Sequence, residues 1–287
     1  MTQDSAFVAW VGLSLVPRVG GKLMARLLNH FQAPENVLAA SPDDLRAVPG
    51  IGSRTVESIQ NVNLEEVSAK IEAWQMAGIE ILPHYVADYP PMLKATHDAP
   101  PLLFKRGNWS NAILQTVAIV GTREPSPAAH DFAYLLGEKL GEAGWTIVSG
   151  MAVGIDTQAH YGALKNGATV AVLGCGVHNL YPPENKSLAT QIIQQGALFS
   201  EVAPEVSPSS SQLVARNRII SGLSQAVILV ESDVDGGAMH TIRFAREQGR
   251  IVFGVDFAAS GNQQLKAEGA GMITPTPSGI ENFLALF

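Results

Sequence analysis

Two runs rich in β-branched and apolar residues end in glycine, with groups suited to holding a phosphate just beyond them. Val117-Ala118-Ile119-Val120 leads into Gly121-Thr122-Arg123, with Ser126 three positions on. Trp145-Thr146-Ile147-Val148 leads into Ser149-Gly150, and Gly154 and Asp156 follow. A third run, Thr169-Val170-Ala171-Val172-Leu173, ends in Gly174. Glycine lets backbone amides approach an anion closely, and hydroxyls add donors. The Arg123 guanidinium can grip phosphate bidentately, which an ammonium cannot. Each turn alone also reads as ordinary βα connection chemistry. Their combination points to an anion pocket.

Two further clusters bear on the same chemistry. Arg216-Asn217-Arg218-Ile219-Ile220-Ser221-Gly222 puts two arginines around an asparagine at a helix start. Two positions apart on a helix, they do not share a face. One is expected to reach a ligand while the other braces the fold, against Glu201 or Glu231. Gly236-Gly237-Ala238-Met239-His240-Thr241 opens the next helix and offers amides and a Thr hydroxyl.

Several chemistries are excluded. Gly174-Cys175-Gly176 begins a G-x-G after a strand, but Asn179 stands where a dinucleotide fingerprint needs its third glycine. No Walker A run is present, so neither NAD nor ATP is expected, and no cofactor is assigned. No G-x-S-x-G elbow marks Ser149 as a nucleophile. Asp156 and His160, four apart, could share a ligand. The plainer reading is that Asp156 caps a helix start and His160 packs nearby. No metal site is expected.

These residues need a sheet to place them. From 116 onward strands and helices alternate. Strands are expected at 117–120, 145–148, 169–173, 197–200, 226–230 and 251–254. Helices are expected at 127–143, 156–166, 184–195, 214–222 and 238–248. A short strand at Met272-Ile273 and a helix from Gly279 follow. Apolar runs without alternation are strands buried on both faces, and the βαβα rhythm gives a parallel doubly wound sheet. Ligands of such sheets bind at the carboxyl ends of the strands.

The N-terminal part is different. Val16-Pro17-Arg18-Val19-Gly20-Gly21-Lys22 and Val48-Pro49-Gly50-Ile51-Gly52-Ser53-Arg54 are near-copies 32 residues apart, each leading into a helix. They resemble the helix-hairpin-helix motif, in which backbone amides and a basic residue meet a nucleic-acid phosphate. A hairpin that merely joins packed helices reads the same way. A helix over 64–77 ends at Gly78. A short strand follows, and then a segment rich in Pro and aromatics. The expected domains are therefore 1–78, a linker segment 79–115 that packs on the next domain, and 116–287.

The 287-residue chain is 46% hydrophobic and 16% charged, with a net charge of −7. That balance suits a soluble globular protein and argues against a surface coated in positive charge, though not against a local cationic groove. Cys175 is the only cysteine, which excludes an internal disulfide and fits a reducing cytoplasm. No apolar run reaches the roughly 18 residues of a membrane helix. The start, Met1-Thr2-Gln3-Asp4, lacks the basic opening of a signal peptide.

Taken together, Gly121-Thr122-Arg123, Ser149-Gly150-Met151-Ala152-Val153-Gly154-Ile155-Asp156 with Ala159-His160, Tyr181-Pro182 with Asn185, Ser200-Glu201 and Arg216 to Ser224 resemble the DprA/Smf family, DNA-processing protein A. Tyr89-Pro90 through Pro100-Pro101 and Gly107-Asn108 match the same family. The resemblance implies an extended Rossmann-like domain behind a SAM-like helical domain. It implies a homodimer that binds and protects single-stranded DNA in natural transformation and helps load the RecA recombinase, without established catalysis. It assigns DNA phosphate to Gly121, Thr122, Arg123, Ser126, Ser149, Gly150, Gly154, Asp156, Lys186, Arg216, Asn217, Arg218, Gly237 and Thr241. Departures are visible. Leu213-Val214 replace Phe-Pro, Gly236-Gly237-Ala238-Met239 replaces Ser-Gly-Ser-Leu, and Val255-Asp256-Phe257 replaces Val-Pro-Gly. A C-terminal winged helix, common in the family, is not expected here. The alternatives are a phosphoribohydrolase-like enzyme on a nucleoside phosphate, with Glu201 or Glu231 as acid/base, and a scaffold without strong DNA contact.

Overall fold

A computed structural model describes residues 4–110 and 115–287. The readings of residues 1–3 and of the 111–114 part of the expected linker lie outside the described residues. Two compact units divide the chain. One comprises residues 1–89 and 94–104, the other 90–93 and 105–287.

The first unit is mainly helical: α1 (Ser5–Leu15), α2 (Gly21–Phe31), α3 (Pro34–Ala39), α4 (Pro42–Arg46), α5 (Ser53–Gln60) and α6 (Leu64–Met76), then strand β1 (Glu80–Pro83). The two near-copies form matching hairpins. Val19 N donates to Val16 O at 3.1 Å, and Ile51 N donates to Val48 O at 3.2 Å. Val16, Val19 and Val48 drop into one core with Leu13, Leu27 and Leu45. The copies differ one residue into the second helix. A Cβ on Gly21 would lie 2.1 Å from Ala99 O, so only glycine fits, whereas Ser53 at the matching place is exposed. α6 starts at Asn63, whose Oδ1 accepts from Glu65 N and Glu66 N at 3.0 and 3.2 Å. The short helix α3 was not anticipated, whereas α4 is the helix that the second helix-hairpin-helix copy requires before Val48.

The 79–115 segment is more than a tether, since it holds β1, α7 (Pro91–Lys94) and β2 (Leu102–Gly107). Leu102, Leu103 and Phe104 are buried, and that burial makes the run a strand.

The second unit alternates β3 (Thr116–Val120), α8 (Pro127–Glu142), β4 (Thr146–Ser149), α9 (Ile155–Asn166), β5 (Thr169–Val172), α10 (Lys186–Gln195), β6 (Ala197–Ser200), α11 (Ser210–Ala215), α12 (Asn217–Gly222), β7 (Ala226–Leu229), α13 (Ala238–Glu247), β8 (Ile251–Val255), α14 (Ser260–Ala267), β9 (Gly271–Ile273) and α15 (Pro277–Leu284). Helix α14 was not anticipated: its sequence is mostly polar, and Leu265 is its one large buried side chain. The helix expected over 214–222 is two helices, broken at Arg216.

Strands β3 to β9 run parallel in the order β6-β5-β4-β3-β7-β8-β9. Ala118 pairs with Val148 on one side and Val227 on the other, which makes β3 central. All five of its residues are buried, as an apolar run covered by helices on both faces requires. Ile119 packs with Leu136 on α8 and Ala159 on α9, and its truncation to Ala would cost about 2–5 kcal/mol. The chain walks outward from β3 to β6, then crosses back to place β7 on the other side of β3. The order therefore reverses between β3 and β7, and their carboxyl ends splay apart there.

Candidate nucleic-acid interface

An open cavity of about 590 Å³ lies at that reversal. The turn after β3 supplies Gly121, Thr122, Arg123 and Glu124, and the turn after β7 supplies Asp233, Asp235, Gly236 and Gly237. Asp156, Tyr181, Leu213, Arg216, Asn217 and Thr241 are among the other residues that line it.

Arg123 is exposed, and among the described residues it makes no hydrogen bond or ion pair. Its donors are free for a ligand. Arg216 is only 6% exposed, and its Nη1 and Nε donors are held by the protein. Nη1 donates to the carbonyls of Gly150 and Val172 at the ends of β4 and β5. Nε donates to Asn217 Oδ1 at 3.0 Å, and Nη2 stands 4.0 Å from Asp156 Oδ2. A buried guanidinium needs such partners, because unpaired donors inside a protein are costly. Asp156 in turn accepts from Gly150 N at 3.1 Å and Ala152 N at 3.3 Å. Burial pushes its carboxyl above the ordinary aspartate value, opposed by Arg216 and by these amides. Burial also pulls the Arg216 guanidinium down, opposed by Asp156.

A glycine is required at two points of this loop. A Cβ on Gly150 would fall 2.0 Å from the Arg216 guanidinium. Gly154 has φ 85°, and a Cβ there would lie 2.4 Å from Thr122 O. That close approach docks the start of α9 on the β3 turn, where Ile155 N donates to Thr122 O at 3.2 Å.

The chain matches the model of the family described as DNA recombination-mediator protein A over residues 80–284. It belongs to that family. Residues 12–61 also match the SAM-like helix-hairpin-helix tandem. Protein Smf of Synechocystis is 38% identical over 85% of this chain and 63% of its own length. This chain thus spans under two thirds of that relative. DNA processing protein DprA of Bacillus subtilis is 37% identical over 71% of each chain. The X-ray structure of DNA processing protein A from Streptococcus pneumoniae aligns with a TM-score of 0.80 at 28% identity, covering 100% of this chain and 99% of that one. A structure of the Helicobacter pylori protein, solved for its single-stranded DNA binding mode, aligns with a TM-score of 0.66 at 28% identity. It covers 73% of this chain and 97% of that one.

Of the residues the family resemblance assigned to phosphate, Gly121, Thr122, Arg123, Asp156, Arg216, Asn217, Gly237 and Thr241 line the cavity together. Gly237 caps α13 with open space where a side chain would be, and Thr241 is buried one turn further in. The others lie elsewhere. Ser149 Oγ is fully buried and donates to Ile119 O at 2.6 Å, which ties β4 to β3. Gly150 lines only a narrow adjoining cleft of about 40 Å³, and its N–H is taken by Asp156. Ser126 points its N–H and its hydroxyl at Glu231, at 2.6 and 2.8 Å, while Oγ also caps α8 at Ala129 N. Arg218 lies off the cavity, with Nη2 2.5 Å from Glu201 Oε2. Gly154 and Lys186 are also off it, Lys186 being exposed at the first residue of α10. Of the two arginines of the Arg-Asn-Arg segment, Arg216 lines the cavity while Arg218 is paired with Glu201 away from it.

Asp156 and His160 engage separate protein partners. Asp156 caps the loop before its helix. His160 Nδ1 lies 2.7 Å from Thr169 Oγ1, whose own hydrogen goes to Ile147 O at 2.7 Å. The proton must therefore sit on Nδ1. No cluster of metal-ligating side chains occurs among the described residues. No helix among them is long and apolar enough to cross a membrane.

Sequence reasoning gave no role to Asp233, Asp235 or Tyr181. The acids were signalled by Glu231-Ser232-Asp233-Val234-Asp235, which follows β7 just as Gly121-Thr122-Arg123 follows β3. The acidic turn faces the β3 turn, in which Arg123 stands beside Glu124.

Proposed function

We propose that this chain binds single-stranded DNA at the cavity between the ends of β3 and β7. It acts there as a cytoplasmic, non-catalytic homodimer that protects incoming DNA and helps load a RecA-type recombinase during natural transformation. The observation that carries the DNA reading is Arg123, an unpaired guanidinium at the switch point of a doubly wound sheet. A backbone phosphate is the anion that such a site can take without reading sequence. The single-stranded DNA binding mode of the Helicobacter pylori relative supports the same reading. The fates of the two glutamates favour binding over hydrolysis of a nucleoside phosphate. Glu231 accepts both Ser126 donors and Glu201 holds Arg218, so each is engaged as a structural anion.

The test is fluorescence anisotropy with labelled single- and double-stranded oligonucleotides of one length, run across salt. Preference for the single strand, with affinity falling linearly in log salt, is the expected result. Equal binding of both forms, or none, overturns it. Release of free base from nucleoside monophosphates, abolished by Glu201→Gln or Glu231→Gln, would establish the enzymatic reading in its place.

A further inference from the structure

We propose that Tyr181 is the platform on which a DNA base stacks beside the phosphate held by Arg123. This rests on the single-stranded DNA reading above. Tyr181 is the only aromatic side chain lining either cavity among the described residues, and it lines both. It is 37% exposed. Val214, 36% exposed, borders the larger cavity, Val153, also 36% exposed, borders the narrow cleft, and Leu213 lines both. An aromatic and two aliphatics left open next to an unpaired guanidinium form an amphipathic wall. A nucleotide, with its flat apolar face joined to an anion, matches it.

The position is held firmly. Pro182 is buried, and the 3₁₀ turn Pro183–Asn185 follows at once. Asn185 Nδ2 donates to Met151 O at 2.9 Å and to Thr157 Oγ1 at 2.8 Å, tying that turn to the loop after β4. A ring on an anchored segment loses little freedom when a base covers it. The carboxylates set the position. Glu124, Asp156, Asp233 and Asp235 line the large cavity but not the narrow cleft, where Arg123 and Tyr181 stand together, so phosphate is favoured in that cleft.

The experiment compares a normal oligonucleotide with an all-abasic strand of equal length, by anisotropy, for the full chain. The proteins are wild type, Tyr181→Ala, Tyr181→Leu, Tyr181→Trp and Arg123→Ala, each checked by thermal melting. Tyr181→Ala and Tyr181→Leu should weaken the normal strand about tenfold and leave the abasic strand unchanged. Tyr181→Trp should restore binding, and its emission should be quenched by the normal strand only. Arg123→Ala should weaken both strands. If the Tyr181 variants weaken both strands alike or neither, or if Trp does not rescue, the platform is wrong while the DNA reading stands. If wild type binds neither strand, both proposals fail together.

Discussion

Arg123, in the turn after β3, and Arg216, at the break between α11 and α12, line the same cavity. Arg123 is exposed and carries no partner among the described residues. Arg216 is buried and holds Gly150 O, Val172 O, Asn217 and Asp156. Both follow the same rule, that a cation goes where its donors are met. For one the partners are strand ends, and for the other they must come from outside. The comparison separates what builds the pocket from what fills it. Arg216→Ala strips a buried carboxylate of its counter-charge and two carbonyls of their donor. It should cost about 3–5 kcal/mol in urea unfolding. Arg123→Ala should stay within about 0.5 kcal/mol of wild type. Equal losses in the two variants would erase the distinction.

The charge on Arg216 also reaches His160, on the helix that carries Asp156. Burial, and then Arg216, lower the imidazole from 6.5 to about 3. Between those values the unfolded chain binds a proton that the folded chain refuses. This histidine's contribution to stability is therefore complete above pH 6.5 and is lost on acidification toward pH 3. The slope approaches about 1.4 kcal/mol per pH unit. Asp156 works in the opposite sense, because its raised value lets the folded state take up a proton first. Urea titrations of wild type and His160→Asn from pH 7 to 4 isolate the histidine. The variant's curve should be flatter, and parallel curves would show that His160 is not held neutral.

Arg123→Ala comes next in size. Loss of one phosphate contact should weaken single-stranded DNA about tenfold and reduce the log–log salt slope by about 0.7. An unchanged slope with weaker binding would move Arg123 from ligand to support, and the contrast with Arg216 would shrink to a difference in burial.

How much of this could be read from sequence follows from the same contrast. β3, β4 and β5 were legible because a run such as Val117 to Val120 is apolar without alternation and stops at glycine. The edge of the fold was less so. β2 ends in Lys105-Arg106 within a proline-rich stretch, and α14 has too few apolar residues to show a helical period. Pairing of Arg218 with Glu201 was within reach, since both ends are charged side chains. The fate of Arg216 was not. Its main acceptors are backbone carbonyls 66 and 44 residues away, and a carbonyl leaves no mark in composition or spacing. Ser149 and Ser126 were misplaced for the same reason: a hydroxyl after a strand looks alike whether it meets a ligand or, as here, Ile119 O and Glu231.

The smallest expected effect tests the cavity's other wall. Asp235 is exposed, lines the cavity and makes no hydrogen bond among those described, whereas Asp233 accepts from Ser260 Oγ at 3.1 Å. Asp235→Asn therefore removes a charge while leaving the turn's own bonds intact. An exposed charge a few ångströms from a phosphate costs on the order of 0.5–1 kcal/mol in water. The variant should bind single-stranded DNA about two- to fivefold more tightly at low salt, and the gain should fade as the Debye length contracts toward ~3 Å at 1 M. A gain that persists at high salt would mean the substitution reshaped the turn. No gain at any salt would place the strand beyond reach of Asp235, held on the Arg123 side alone.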